Sequence, residues 1–212
     1  MSRRGITYSE IMEKAMELVE EVGYRQFSLR ELAAKLGVKP ASLYNHVQGI
    51  EEINTGIAIE AANRLNRKLR AAINEALTES GVGSSDDGSG GNSNGGDADA
   101  RDRAFMAAAF AYRSFAEENA QLYEALINMP RSDDEKTVSA AFYSFAPLRE
   151  LIKSYGLSDK DNINYIRGLR SVMHGFVELC NSGFMHRGKV SRDDSYEAII
   201  KKYLEVLKKG GA

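Results

Sequence analysis

The chain reads as an all-α protein. Three observations predict this: apolar residues recur three and four positions apart through most of its length, Ser-x-x-Glu and Ser-x-x-Asp capping signals precede several of those stripes, and no apolar–polar alternation is long enough for a strand. About nine helices are expected from these signals.

The first stripe is Ile11, Ala15, Leu18, Val19 and Val22, closed by Gly23. Ser28 and Glu31 then form a capping box that opens a short helix burying Leu29, Leu32, Ala33 and Leu36. Gly37 stops it, because a left-handed turn residue is cheap only for glycine. Pro40 suits the first turn of the next helix, where its missing N–H costs nothing. On that helix Leu43 and Val47 face inward, leaving Ala41, Ser42, Tyr44, Asn45 and His46 largely outside. A long helix follows from Glu51 towards Leu77, with Ile53, Ile57, Ala61, Leu65, Leu69 and Ile73 as its stripe.

Residues 81–100 contain seven glycines, four aspartates and one aliphatic larger than alanine, so they are expected to form a flexible loop between two helices. Beyond it Phe105, Ala108, Ala109, Tyr112, Phe115 and Ala116 mark a helix, and Leu122 to Ile127 a short one. A capping box at Ser132 to Glu135 opens a helix expected to run to Gly156, kinked near Tyr143 by Pro147. Ser158 and Ser191 cap the last two helices, the final one striped by Tyr196, Ile199, Ile200, Tyr203, Leu204 and Leu207.

The bulk numbers restrict function. With 212 residues, 43% hydrophobic and 27% charged, this is the composition of a globular chain that buries a sizeable core. No stretch approaches the roughly 18 apolar residues that a membrane span requires. The start, Met1 to Gly5, leads into an amphipathic segment and not into a signal core, and Cys180 has no second cysteine to pair with. A cytoplasmic location is expected. The net charge of −2 argues against a non-specific polyanion binder, although an average hides asymmetry: the first fifty residues carry seven basic groups against six acidic.

Two short helices joined by a tight turn fit a helix-turn-helix, whose second helix enters the major groove with small residues leading. Ala41 and Ser42 meet that requirement, and Pro40 before them is counted in the same DNA-binding set. Ser42, Asn45 and His46 carry groups that address base edges, whereas Ser28, Arg30, Lys39 and Tyr44 suit phosphates, and Arg3 and Arg4 could reach an adjacent groove. The same pattern also fits a three-helix corner with a solvated polar face.

The order Ala15 to Tyr24, Phe27 to Ala33, Gly37-Val38 and Leu43-Tyr44-Asn45-His46-Val47 resembles the DNA-binding domain of TetR-family transcriptional repressors over residues 6–60. The resemblance implies a homodimer that binds a palindromic double-stranded DNA operator and is released by a small-molecule effector. It implies a helix-turn-helix domain over residues 1–52 and a ligand-binding and dimerisation domain over 53–209. Ile50 stands where such proteins commonly place a lysine on a DNA phosphate. Tyr112 to Asn119, Leu122-Tyr123 and Met173-His174-Gly175-Phe176 resemble the C-terminal region of a subgroup named for a Trp-His-Gly motif, with Met173 in place of the tryptophan.

Aromatic and methionine residues beyond the loop are as consistent with plain core as with a cavity for an apolar or aromatic effector, lined by Phe110, Tyr112, Phe115, Tyr123, Phe142, Phe145, Met173 and His174. Apolar residues on two faces of the helix over 159–182, with the outer side of the last helix, predict a dimer interface at Tyr165, Val172, Leu179, Tyr196, Ile200 and Tyr203. His174, Cys180 and His186 are spaced six apart and do not share a helix face, so neither metal nor other cofactor is expected. No hydrolase motif is present, and an enzyme or ligand-binding protein that retains an unused helix-turn-helix corner is the competing reading.

Overall fold

A computed structural model of the chain describes residues 6–79, 93–129, 135–185 and 189–210. These contain ten helices and, among the described residues, no strand: α1 (Tyr8–Val22), α2 (Leu29–Lys35), α3 (Pro40–Leu43), α4 (Ile50–Thr78), α5 (Ser93–Glu118), α6 (Ala120–Ile127), α7 (Glu135–Tyr143), α8 (Ala146–Lys153), α9 (Asp159–Asn181) and α10 (Arg192–Gly210).

Two compact units divide the chain. The first holds Met1–Arg64 and Glu118–Ser144, the second Leu65–Glu117 and Phe145–Ala212. In the first, α1 opens with a complete capping box: Thr7 Oγ1 accepts the Glu10 amide at 3.2 Å, and the Thr7 amide donates to the Glu10 carboxylate at 2.8 Å. Its inward stripe, Ile11, Ala15, Leu18 and Val19, is buried, and Gly23 ends it at φ 95°. Helix α2 starts at Ser28, whose hydroxyl accepts the Glu31 amide at 3.3 Å. Gly37 turns the chain at φ 68°, a conformation that costs an L residue about 1–2 kcal/mol. Leu32, Ala33, Leu43 and Val47 are all buried, as the spacing predicts.

Helix α6 belongs to this unit. The Tyr24 amide donates to Gln121 Oε1 at 2.7 Å, and the Arg25 guanidinium pairs with the Glu124 carboxylate, so the turn after α1 is held by α6. The predicted stripe of α4 is also realised: Ile53, Ile57, Ala61, Leu65, Leu69 and Ile73 are buried.

In the second unit, Tyr196 of α10 lies at the centre, fully buried, its hydroxyl donating to the Ala109 carbonyl at 2.8 Å. Burial raises its pKa. The rings of Phe110 and Phe176 pack on it at 5.5 Å and 4.9 Å. Arg113, also buried, donates to Glu117 at 2.8 Å and to Asp193 at 2.7 Å while its guanidinium covers Phe176 and Tyr196. One side chain thereby ties α5 to α9 and α10.

Three expectations need correction. The loop expected over 81–100 is shorter: α5 starts at Ser93, because Ala100, Ala104 and Ala108, four apart, extend its buried stripe backwards. The helix expected from Glu135 to Gly156 is two helices, parted at Ser144 and Phe145, with Pro147 in the first turn of α8. Ten helices result where about nine were counted. The capping box expected at Ser132 lies outside the described residues.

Gly37→Ala should lower the stability of the folded chain by about 1 kcal/mol through its positive φ alone, since nothing lies within 4 Å of the added methyl. Gly49→Ala, with equal space and no positive φ, should not show this loss. Urea unfolding midpoints of the two variants test the difference.

Candidate nucleic-acid interface

The candidate surface is built on α3, and its form follows from how little of that helix is buried. Leu43 at 0% and Val47 at 3% exposure anchor it, while Tyr44 is 60% exposed and Lys39, Pro40, Ala41, Asn45 and His46 are exposed beside it. Lys39 is the N-cap residue, with extended backbone and no side-chain cap bond, so its ammonium is left to the surface. The Ser42 amide donates to the Lys39 carbonyl at 2.8 Å and the Val47 amide to the Leu43 carbonyl at 3.0 Å. The helix is thus closed on itself at both ends. Small residues, Ala41 and half-buried Ser42, lead it, which leaves the backbone open to close approach.

The remaining predicted residues separate. Arg30 is exposed on α2. Ser28 is engaged as the helix cap, donating to the Glu31 carboxylate at 2.8 Å as well as accepting its amide, so its primary role is structural. Arg3 and Arg4 lie outside the described residues. Ile50 is the half-buried first residue of α4, and two residues before it the Gln48 amide donates to Glu52 at 2.7 Å.

Electrostatics around the motif are arranged by α1. Lys35 of α2 donates to Glu21 at 2.7 Å and lies 3.5 Å from Glu17. The hydrogen bond from Lys14 holds the Glu17 carboxyl below its ordinary pKa, and the bond to Glu21 raises that of Lys35. The acids that made the first fifty residues look nearly neutral are in part paired within α1 and α2. The exposed residues from Lys39 to His46 include that lysine and no acid.

The residues expected to line an effector cavity fall into both units. Tyr112, Phe115, Phe145 and Met173 are buried in the second, where the Tyr112 and Phe145 rings lie 5.4 Å apart and Arg170 covers Phe145 at 4.7 Å. Phe110 and His174 are half-buried there. Tyr123 is buried in the first unit. Phe142, also in the first unit, is 64% exposed and lines no core, because α7 turns Thr137 and Ala140 inward in its place. Of the expected interface residues, Tyr196 and Ile200 are fully buried within their own unit and are core residues. Tyr165 and Tyr203 are half-buried, joined by the Tyr165 hydroxyl donating to the Tyr203 carbonyl, and Val172 is half-buried. Leu179 is 43% exposed. Position 186, considered as a metal ligand, lies outside the described residues. Gln121, Glu124 and Arg113 were not among the predicted functional residues; only the i, i+4 spacing of Arg113 and Glu117 could have shown part of their role.

Comparison with known proteins places both parts of the chain. Residues 11–53 match the model of bacterial regulatory proteins of the tetR family, and residues 105–203 match the model described as Tetracyclin repressor-like, C-terminal domain. That description does not name the Trp-His-Gly subgroup. An uncharacterised HTH-type transcriptional regulator of Bacillus subtilis, YobS, is 29% identical over 177 residues, 84% of this chain and 80% of that protein. Among solved structures, a protein of unknown function from Rhodococcus sp. RHA1 superposes with TM-score 0.66 at 18% identity, over 98% of this chain and 96% of the other. The TetR family transcriptional regulator PfmR from Thermus thermophilus superposes with TM-score 0.53 at 20% identity, over 97% of each chain.

Tyr44→Phe should weaken binding by roughly 1 kcal/mol on every DNA sequence, because a phosphate contact carries no sequence information. Asn45→Ala should cost on the order of 1–3 kcal/mol on some base pairs and little on others. Fluorescence anisotropy on a set of single-base operator variants distinguishes the two patterns. Ile50→Lys adds a cation to the first turn of α4 and should tighten binding, steepening the log–log salt dependence by about one unit. An unchanged salt slope would place α4 too far from the DNA backbone.

Proposed function

The chain belongs to the TetR family of bacterial regulatory proteins, and from that premise we propose a dimeric repressor that holds a palindromic operator and is released by a small apolar or aromatic effector. As a member of that family it is a DNA-binding transcription regulator, which replaces the enzymatic reading. The observation that carries the proposal is α3 itself. Its apolar residues are spent on the core, and Tyr44, Asn45 and His46 are presented outwards beside a lysine. DNA binding is assigned to residues 1–52 within the first unit, and effector binding and dimerisation to the second unit, Leu65–Glu117 and Phe145–Ala212. The site of action is the cytoplasm, where the operator is.

The dimer is proposed to form through the outer faces of α9 and α10. Ile163, Leu179 and Val206 are 45%, 43% and 62% exposed there, a set of large apolar side chains that a second copy would cover. Of the six residues expected at this interface, Tyr165, Val172, Leu179 and Tyr203 remain in it. The effector is proposed to bind among Phe110, Tyr112, Phe115, Phe145, Met173 and His174, where one polar ring stands among apolar ones. Lys68 of α4 donates to Ser114 of α5 at 2.7 Å, so a displacement of α5 around an effector is passed directly to the helix that continues into the DNA-binding unit.

Release requires that effector bind better to a conformation that mismatches the half-site spacing, one or more DNA turns of about 34–36 Å. By linkage, operator DNA then weakens effector binding by the same factor. Half-sites read by two copies also fix the stoichiometry at two chains per operator.

His174→Ala should reduce the response to effector while leaving effector-free affinity for operator within about a factor of two, on the ordinary scale of a substitution remote from an interface. Anisotropy titrations of a labelled operator, with and without an aromatic effector found by thermal-shift screening, measure both properties, and sedimentation of the complex counts the chains. Loss of DNA binding without effector, or no change in either property, would make His174 a core residue only.

A further inference from the structure

The first unit contains a groove between α1 and α4 that the DNA-binding role leaves unused. It has a volume of about 660 Å³. Tyr8, Met12 and Met16, spaced four apart, give one wall from α1, and Gly56, Glu60 and Arg64, also four apart, give the other from α4. Gly56 leaves room on the α4 side of the groove. A Cβ at this position would lie 2.6 Å from Met12 Cε and 3.2 Å from Tyr8 Oη, so a side chain here would displace the end of Met12 from its place on the α4 backbone. The thioether then forms a floor, with half-buried Met16 and Ile59 beside it, in place of a plug.

The rim has the opposite character. Glu13, Glu17, Glu20 and Glu60 line the groove against a single cation, Arg64, which lies 3.1 Å from Glu60 and 3.9 Å from Glu20. Glu17 is partnered from outside the groove by Lys14 and Lys35. Glu13 is exposed and has no ion-pair partner among the described residues. These carboxylates are spread along two helices, and no group of them among the described residues converges as metal ligands would. A spread negative rim over a floor of thioethers, an isoleucine and an exposed tyrosine ring matches a charge that is itself spread over an apolar body.

We propose that the α1–α4 groove is a binding site for a hydrophobic organic cation, placed within the DNA-binding unit and separate from the effector residues of the second unit. Tyr8 offers its ring face, Met12 and Met16 offer polarisable contact, and Glu13 and Glu20 supply the charge. An anion of equal size is repelled by the rim, and a neutral compound gains only the floor.

The test uses the full-length chain with tetraphenylphosphonium as the probe and methionine methyl groups labelled for NMR. Saturable shifts of the Met12 and Met16 methyl signals, with Met173 unmoved, are expected. The affinity should fall as ionic strength rises and should fall about tenfold in Glu13→Lys, which reverses an exposed charge without touching the core. Neutral triphenylphosphine oxide should bind at least about tenfold more weakly on the same electrostatic ground. Gly56→Ala, which presses on Met12, should weaken the probe further, and circular dichroism reports whether that variant folds. Unmoved Met12 and Met16 signals overturn the proposal, and so does equal binding by Glu13→Lys or by the neutral analogue. Shifts confined to Met173 would place the probe in the effector region and overturn it as well, leaving the repressor reading intact.

Discussion

Helices α2 and α3, with seven and four residues, are too short to persist alone, since isolated helices below roughly 12–15 residues are marginal in water. They exist because Leu32, Ala33, Leu43 and Val47 are buried in the same unit as the inward stripe of α1. Each fully buried large aliphatic contributes about 1.5–3 kcal/mol, enough to offset the ordering of several backbone residues when Leu32, Leu43 and Val47 act together. Helix α3 ends at Leu43, short of the helix expected to reach Val47, and with Leu43 and Val47 committed to the interior the turn between them leaves Tyr44, Asn45 and His46 exposed. Gly37 completes the arrangement by reversing the chain where a side chain would be strained. The surface proposed to read DNA is therefore a consequence of how a very small core is anchored.

The same anchoring reaches beyond the helix-turn-helix. Tyr24 and Arg25, in the turn after α1, are held by Gln121 and Glu124 of α6, nearly a hundred residues later. One of these contacts uses a backbone amide that an uncapped turn would otherwise leave to water, and the other is a largely exposed ion pair worth at most about 1 kcal/mol. Their value is positional. They make α6 part of the unit that carries α3, so that anything that moves α6 bears on the orientation of the recognition surface.

In the second unit the ordering role passes to polar groups inside an apolar setting. Arg113 is buried under the rings of Phe176 and Tyr196, while its partner Asp193 remains mostly in water. A cation in such a place is costly to desolvate, so its two carboxylates act chiefly to fix where α5 and α10 meet. Tyr196 likewise buries its ring fully and satisfies its hydroxyl on the Ala109 carbonyl. These two residues convert a pattern that any helical bundle could satisfy into one register.

Much of this was open to reading along the chain. Stripes such as Ile53 to Ile73 and Leu43 with Val47 determine which faces are buried, because helical pitch alone relates sequence spacing to direction. Caps and glycines at Ser28, Gly23 and Gly37 determine where helices begin and end, since those preferences act within a single turn. The outward set on α3 was legible for both reasons. Local signals failed where the deciding partner is distant. Nothing local to Ser93 shows that Ala100 continues a buried stripe, and Pro147 alone does not distinguish a kinked helix from two helices. Tyr196 and Ile200 look like interface residues in a one-faced helix, yet a helix stripe says only that a face is covered and not by what. The α1–α4 groove depends on Met12 meeting Gly56, a contact across forty-four positions that no spacing rule contains. The sequence by itself determined the helices, their buried faces and the motif; only the tertiary structure decided which elements cover one another, because that choice rests on complementarity between residues far apart in the chain.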